Sequence, residues 1–305
     1  MELVQSHFGD LHFEFFNNIV SKHTRINYES DIYQYFGFIK ERWPAIRNPA
    51  EVTVRHILEY KTFLNSLKYA PKTINRKLSS VSNYYQFLAQ KGVIFVNPVK
   101  AIKRTPASVQ TPTEALDDSE VKLFMDALDK SGSTLYRAAL YIMFSTGIRR
   151  SEVVNIRVRD FIHENGKIFL TVTGKGGKTV TKLILEWVYE AVKEHLRFLE
   201  AHGETISKDS FILMIKRKNS CQVVTSQSIY NFIKKISLEV GITKEISPHS
   251  LRATYITAAI ESGMELHKIQ EDAGHASIST TMGYNKRRKA REDSPVNSIS
   301  FLKRA

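Results

Sequence analysis

The chain has 305 residues, 42% of them hydrophobic and 25% charged, an ordinary globular composition long enough for two cores. A net charge of +13, with a pI near 9.6, implies a polyanionic partner, nucleic acid before any other. One cysteine, Cys221, excludes an intrachain disulfide and a cysteine-based metal site. The opening MELVQSHFGD lacks the basic-then-apolar pattern of a signal peptide. The most apolar segment, Ala138 to Phe144, is too short to cross a bilayer. A cytoplasmic protein without a membrane partner is expected.

The first hundred or so residues read as helices. From Thr24 onward, Ile32, Tyr35, Phe36 and Ile39 recur at helical spacing. Thr53 is placed to cap a second helix carrying Val54, Ile57, Leu58 and Leu64. Pro71 suits the first turn of a third, in which Ile74, Leu78, Val81, Tyr85 and Leu88 follow in steps of four and three. Gly92 stops that helix, and Asn97-Pro98 marks a turn. These stripes are core positions and carry no catalytic role.

The stretch from Lys103 to Thr113, KRTPASVQTPT, has two prolines and no apolar period. It reads as an interdomain linker, or failing that as a long surface loop. The boundaries expected are 1–103 for a helical domain, 104–114 for the linker and 115–305 for a second domain.

Asp117 or Asp118 is placed to cap a helix bearing Val121, Phe124, Met125 and Leu128. Another helix runs from about Thr134 to Gly147. The period then changes to two: Ile168, Leu170 and Val172 alternate before the Gly174–Gly177 turn, and Val180 follows it. This predicts a β-hairpin inside a helical domain. Helices resume with Val188, Ala191, Val192, Leu196 and Leu199, then with Ile229, Phe232, Ile233, Ile236 and Val240. The fold expected is mainly α with one small β-sheet or hairpin.

Five places in the second domain hold polar groups that packing does not require. They are Thr146-Gly147-Ile148-Arg149-Arg150-Ser151-Glu152, Lys175 at the hairpin tip, His249-Ser250-Leu251-Arg252, Gly274-His275, and Tyr284. Singly, each has an ordinary reading as a solvated or structural residue. Gly177-Lys178-Thr179 resembles the end of a phosphate-binding loop, but Val172 stands where that loop needs glycine. No His-Glu-x-x-His pattern and no Gly-x-Ser-x-Gly elbow is present.

Together the set suits phosphodiester chemistry without a metal. Guanidinium forks grip nonbridging oxygens and neutralise charge that grows in the transition state. A lysine protonates a departing alkoxide, histidines move protons near neutral pH, and a tyrosine hydroxyl is an attacking group.

In order and context these residues resemble the tyrosine recombinase (phage integrase-type) family, with the size and layout of its Xer members and simple integrases. The family pattern of Arg, Lys, His-x-x-Arg, His or Trp, and Tyr falls on Arg149, Lys175, His249, Arg252, His275 and Tyr284. The separations are typical, 26 from Arg149 to Lys175 and 9 from His275 to Tyr284. Thr24 to Phe38 and Pro71 to Pro98 resemble the family's N-terminal core-binding domain. Ala273 stands where leucine is usual and Ala253 where a larger residue is common. Arg150 stands beside Arg149, and the family register favours Arg149.

The resemblance implies that Tyr284 attacks the scissile phosphate, forming a 3′-phosphotyrosyl link and releasing a 5′-hydroxyl. Arg149 and Arg252 would hold the nonbridging oxygens, with Glu152 supporting the first arginine. Lys175 would be the general acid, His249 would assist proton transfer at the tyrosine, and His275 would hydrogen-bond the phosphate. No cofactor, ATP or metal is implied. The partner is a double-stranded DNA site, held in a two-domain clamp, with assembly to a tetramer on two sites and room for a second recombinase. The tail after Arg291, with Ile299, Phe301 and Leu302, resembles a segment that docks on a neighbouring protomer. Two rivals share the features: a type IB topoisomerase, opposed by the helical first domain, and a non-catalytic DNA-binding protein, opposed by the complete residue set.

Overall fold

The computed structural model describes residues 9–106, 113–174, 177–217, 220–275 and 278–283. The chain divides into two units, Met1–Gln110 and Thr111–Ala305.

Among its described residues the first unit holds four α-helices: α1 (Gly9–Asn17), α2 (Lys22–Arg42), α3 (Val54–Ser66) and α4 (Pro71–Gln90). Caps set their ends. Ser21 accepts from Thr24 N–H at 3.4 Å, Thr53 precedes α3, and α4 opens on Pro71. Gly92 turns left-handed just beyond α4, with φ 71°. The predicted stripes are buried at Ile32, Tyr35, Ile39, Ile57, Leu64, Ile74, Leu78, Val81, Tyr85 and Leu88. In α3 the buried line is Ile57, Tyr60 and Leu64, one residue wide. Val54 and Leu58, expected within it, stay exposed because the helical turn carries them to its flanks. The core is rich in aromatic rings, and the Tyr35 and Tyr85 hydroxyls lie 2.9 Å apart within it. The sequence reading did not anticipate α1, whose Phe15 and Phe16 close this core. Beyond the last helix, Asn75 fixes the departing chain, donating to Thr105 O at 2.8 Å and accepting from Thr105 N–H at 3.0 Å.

Among its described residues the second unit is mainly helical with two small antiparallel sheets. α5 (Asp118–Lys130) is capped by Asp117, whose carboxylate accepts from Glu120 N–H at 2.9 Å. α6 (Thr134–Thr146) is buried almost all round, the mark of a central helix, and it packs on α8 (Glu186–Ala201). The short α7 (Arg150–Val153) follows it.

Three strands, β1 (Phe161–Glu164), β2 (Lys167–Thr173) and β3 (Thr179–Ile184), form a sheet in that order. Ile168 pairs with Ile184, Leu170 with Lys182 and Val172 with Val180. The expected hairpin is β2–β3. The outer strand β1 and a ribbon of β4 (Met214–Lys216) and β5 (Cys221–Val223) are additions, all too short to show a period. Four more helices follow among the described residues: α9 (Ser226–Glu239), α10 (Pro248–Glu261), α11 (Leu266–Ala273) and α12 (Ile278–Met282). Among the described residues no helix is long and apolar enough to cross a membrane.

Candidate active site

The site grows from two helix ends. Gly147 closes α6 with φ 62°, and Gly274 closes α11 with φ 60°. Glycine is needed at 147 on two counts. Its φ is left-handed, and a Cβ there would lie 2.4 Å from the ring of Tyr255. The final carbonyls of a helix lack intrahelical donors and form the negative end of its dipole. Here three such carbonyls face arginines.

Arg252, on the first turns of α10, is only 3% exposed, so its charge must be met inside the protein. It donates through one guanidinium nitrogen to Gly147 O at 2.6 Å and through the other to Ala273 O. Arg149 donates to Gly274 O at 3.3 Å. Its other terminal nitrogen donates to Glu152 Oε1 at 2.8 Å, and its backbone N–H donates to Glu152 Oε2, also at 2.8 Å. Glu152 therefore both caps α7 and orients the arginine, as an acidic group in a first helical turn is suited to do. Arg150 diverges from its neighbour, its guanidinium 5.9 Å from the centre of the Tyr230 ring.

The two histidines flank the arginines differently. His249, exposed at the start of α10, borders a cleft of about 400 Å³ with Arg149, Arg150, Tyr230 and Arg252. No carboxylate is among the described residues lining that cleft. His275 follows Gly274, with Nδ1 2.8 Å from the hydroxyl of buried Thr281. Burial, followed by the positive charges of Arg252 and Arg149, pushes its pKa down to about 4. Without an anion nearby, its ring is neutral at pH 7.

A second cavity of about 650 Å³ shares Arg149 and Arg252 with the first. Arg149, Arg252 and His275 border it, together with Gly174 and Lys178 from the hairpin end. Gly174 N–H donates to Lys178 O at 2.7 Å, which closes the β2–β3 turn beside the site. Arg149, Glu152, His249, Arg252 and His275 thus come together around two adjoining cavities. Lys175 and Tyr284 lie outside the described residues, as do residues 107–112 of the expected linker and the tail after Arg291.

Three residues here went unnoticed in the sequence: Lys182, Asp272 and Tyr255. Lys182 Nζ is 2.6 Å from Asp272 Oδ2, and the Tyr255 hydroxyl donates to the same oxygen at 2.8 Å. A signal existed. Lys182 occupies an inward position of the alternating strand, between Val180 and Ile184, where a lysine is out of place.

Comparison with known proteins gives a consistent result. The model of the phage integrase family matches residues 114–291, and that of the phage integrase N-terminal SAM-like domain matches residues 15–92. Tyrosine recombinase XerC of Syntrophus aciditrophicus is 30% identical over 275 residues, covering 87% of each chain. The TnP I resolvase of Bacillus thuringiensis is 29% identical over 270 residues, covering 87% of this chain and 89% of its own. Among solved structures, the XerH site-specific recombinase bound to a palindromic difH substrate, a post-cleavage complex, superposes with a TM-score of 0.68. It is 20% identical, with 88% of this chain and 77% of that one covered. That likeness concerns the fold.

Proposed function

The chain belongs to the phage integrase family, a DNA strand-transferring site-specific recombinase by that membership, and we propose that its reaction runs through a 3′-phosphotyrosyl link carried by Tyr284. The observation that supports this reading most strongly is the pairing of Arg149 and Arg252 on the C-terminal carbonyls of one helix, with His275 next in the chain. Two planar guanidinium groups anchored on carbonyls at the border of a cavity suit a tetrahedral phosphate, whose growing charge they would offset.

In the proposed first step the Tyr284 hydroxyl oxygen bonds to the scissile phosphorus, and the bond from phosphorus to the 5′ oxygen breaks. His249 assists removal of the tyrosine proton, and Lys175 protonates the departing 5′ oxygen. Arg149 and Arg252 hold the nonbridging oxygens, His275 hydrogen-bonds one of them, and Glu152 keeps Arg149 in place. In the second step a 5′-hydroxyl attacks the phosphotyrosine and frees Tyr284. Each step exchanges one phosphate ester for another, so the bond energy stays in the protein–DNA link.

The substrate is double-stranded DNA, and the net charge of +13 suits its backbone. Assembly is proposed as a tetramer on two sites. The tail after Arg291 docks on a neighbouring protomer through Ile299, Phe301 and Leu302. Deleting residues 292–305 is expected to abolish pairing of two sites while single-site binding persists; unchanged pairing would remove the docking role.

The function is tested by trapping on a library of nicked duplexes with randomised arms. A nick beside the scissile phosphate lets the short fragment leave and strands the protein on its DNA. A denaturant-resistant adduct enriched in one sequence is expected. DNA binding without any adduct would sink the reading.

A further inference from the structure

Lys182 is 4% exposed at an inward position of β3. A buried ammonium is costly unless its charge and its donors are met. Asp272, in the last turn of α11, meets both. Its Oδ2 lies 2.6 Å from Nζ, and its backbone carbonyl accepts from the same ammonium. That Oδ2 also accepts from the Tyr255 hydroxyl of α10 at 2.8 Å. One carboxylate oxygen therefore pins three elements, β3, α10 and α11, that are far apart in the chain.

The network leads directly to the arginines. On one side, the Tyr255 ring packs so closely on Gly147 that no Cβ fits between them, and Gly147 O accepts from Arg252 at 2.6 Å. On the other, Asp272 is followed by Ala273 and Gly274, whose carbonyls accept from Arg252 and Arg149, and then by His275. A shift of the α11 end would move both carbonyls and the histidine together. Lys182 also anchors the second strand of the hairpin whose turn borders the cavity.

We propose that Lys182, Asp272 and Tyr255 are positioning residues for strand transfer, fixing the helix end that aims Arg149 and Arg252 at the phosphate. This rests on the reading that those two arginines hold the scissile phosphate. It differs from a purely stabilising role in one respect. Lys182 is buried and Asp272 partly so, and an ion pair of this kind that serves stability alone is often replaceable by apolar residues of similar volume without loss. Here the apolar pair keeps the fold but releases the α11 end, and a misplacement near 1 Å costs on the order of 10²-fold in rate.

The test uses the full chain on saturating nicked duplex, following the rate of adduct formation alongside thermal unfolding and DNA affinity. Two variants are compared with wild type: the double variant Lys182→Met with Asp272→Leu, and Tyr255→Phe. The expected double variant melts and binds DNA as wild type does but forms the adduct roughly 10²-fold more slowly. Tyr255→Phe, which loses one hydrogen bond, slows by a smaller factor. Wild-type rates in both variants would overturn the positioning role while leaving the proposed function intact. If the double variant does not fold, Tyr255→Phe decides alone: a slower adduct at unchanged melting supports the role, an unchanged rate removes it. A wild-type protein that binds DNA and forms no adduct removes the functional reading, and this inference with it.

Discussion

The first unit buries Asp31, and the second buries Arg252; the surroundings of the two charges differ in kind. Asp31, 1% exposed, accepts from Lys77 Nζ at 3.0 Å, from the Ser80 hydroxyl at 2.8 Å and from Arg76. Two cations and a hydroxyl answer one carboxylate, and the network closes on itself between α2 and α4. Arg252 donates to the carbonyls of two helix ends, Gly147 O and Ala273 O. Beside it, Arg149, Arg150 and His249 border a cleft without a carboxylate among its described lining residues. A closed network holds helices together. The second network instead borders an open cleft, where the proposed function seats a phosphate.

The largest test of that contrast falls on the closed network. Asp31→Ala leaves Lys77 buried without its counter-charge and is expected to cost about 3–5 kcal/mol of stability. Chemical unfolding checks this, and the molecules that remain folded should form the adduct at the wild-type rate. A stable variant would mean that Asp31 is not the keystone of its unit.

Arg149→Lys is the opposite experiment. The Arg149 side chain is 43% exposed, so stability should hold, while loss of the planar fork slows adduct formation by roughly 10²–10³-fold. A stability loss with an intact rate would make the two networks alike. Gly147→Ala comes next, with about 1–2 kcal/mol of left-handed strain and a contact that displaces Tyr255. Stability and adduct rate should fall together, since Arg252 hangs on the same peptide.

The smallest effect is the titration of His275. Its folded pKa, about 4, lies below the ordinary 6.5. The unfolded chain therefore binds the extra proton first. The stability due to the neutral ring is complete above about pH 6.5 and is lost as pH falls towards 4. NMR of the imidazole should show the low midpoint, and a bound phosphodiester should raise it. A DNA-free midpoint near 6.5 would contradict the cationic surroundings described for this ring.

The sequence shows most of the helices because their burial is periodic: Ile74, Leu78, Val81, Tyr85 and Leu88 announce α4 without help from tertiary structure. It hides β1, β4 and β5, where three or four residues cannot display a period. The arginines and histidines of the site are legible through their order and neighbouring motifs. Lys182, Asp272 and Tyr255 are not, since each alone looks like a solvated or core residue. Their meaning lies in a contact spanning 90 positions of chain. Nor does the sequence disclose what holds the arginines, because backbone carbonyls carry no residue identity.

The account turns on Tyr284. Wild type and Tyr284→Phe are incubated side by side with the nicked duplex selected from the library, and the trapped protein is digested and its DNA-linked peptide mapped. The account predicts a denaturant-resistant adduct in wild type, mapping to Tyr284, and none in the variant although it binds the same DNA. An adduct that survives Tyr284→Phe, or one that maps to another residue, would contradict it.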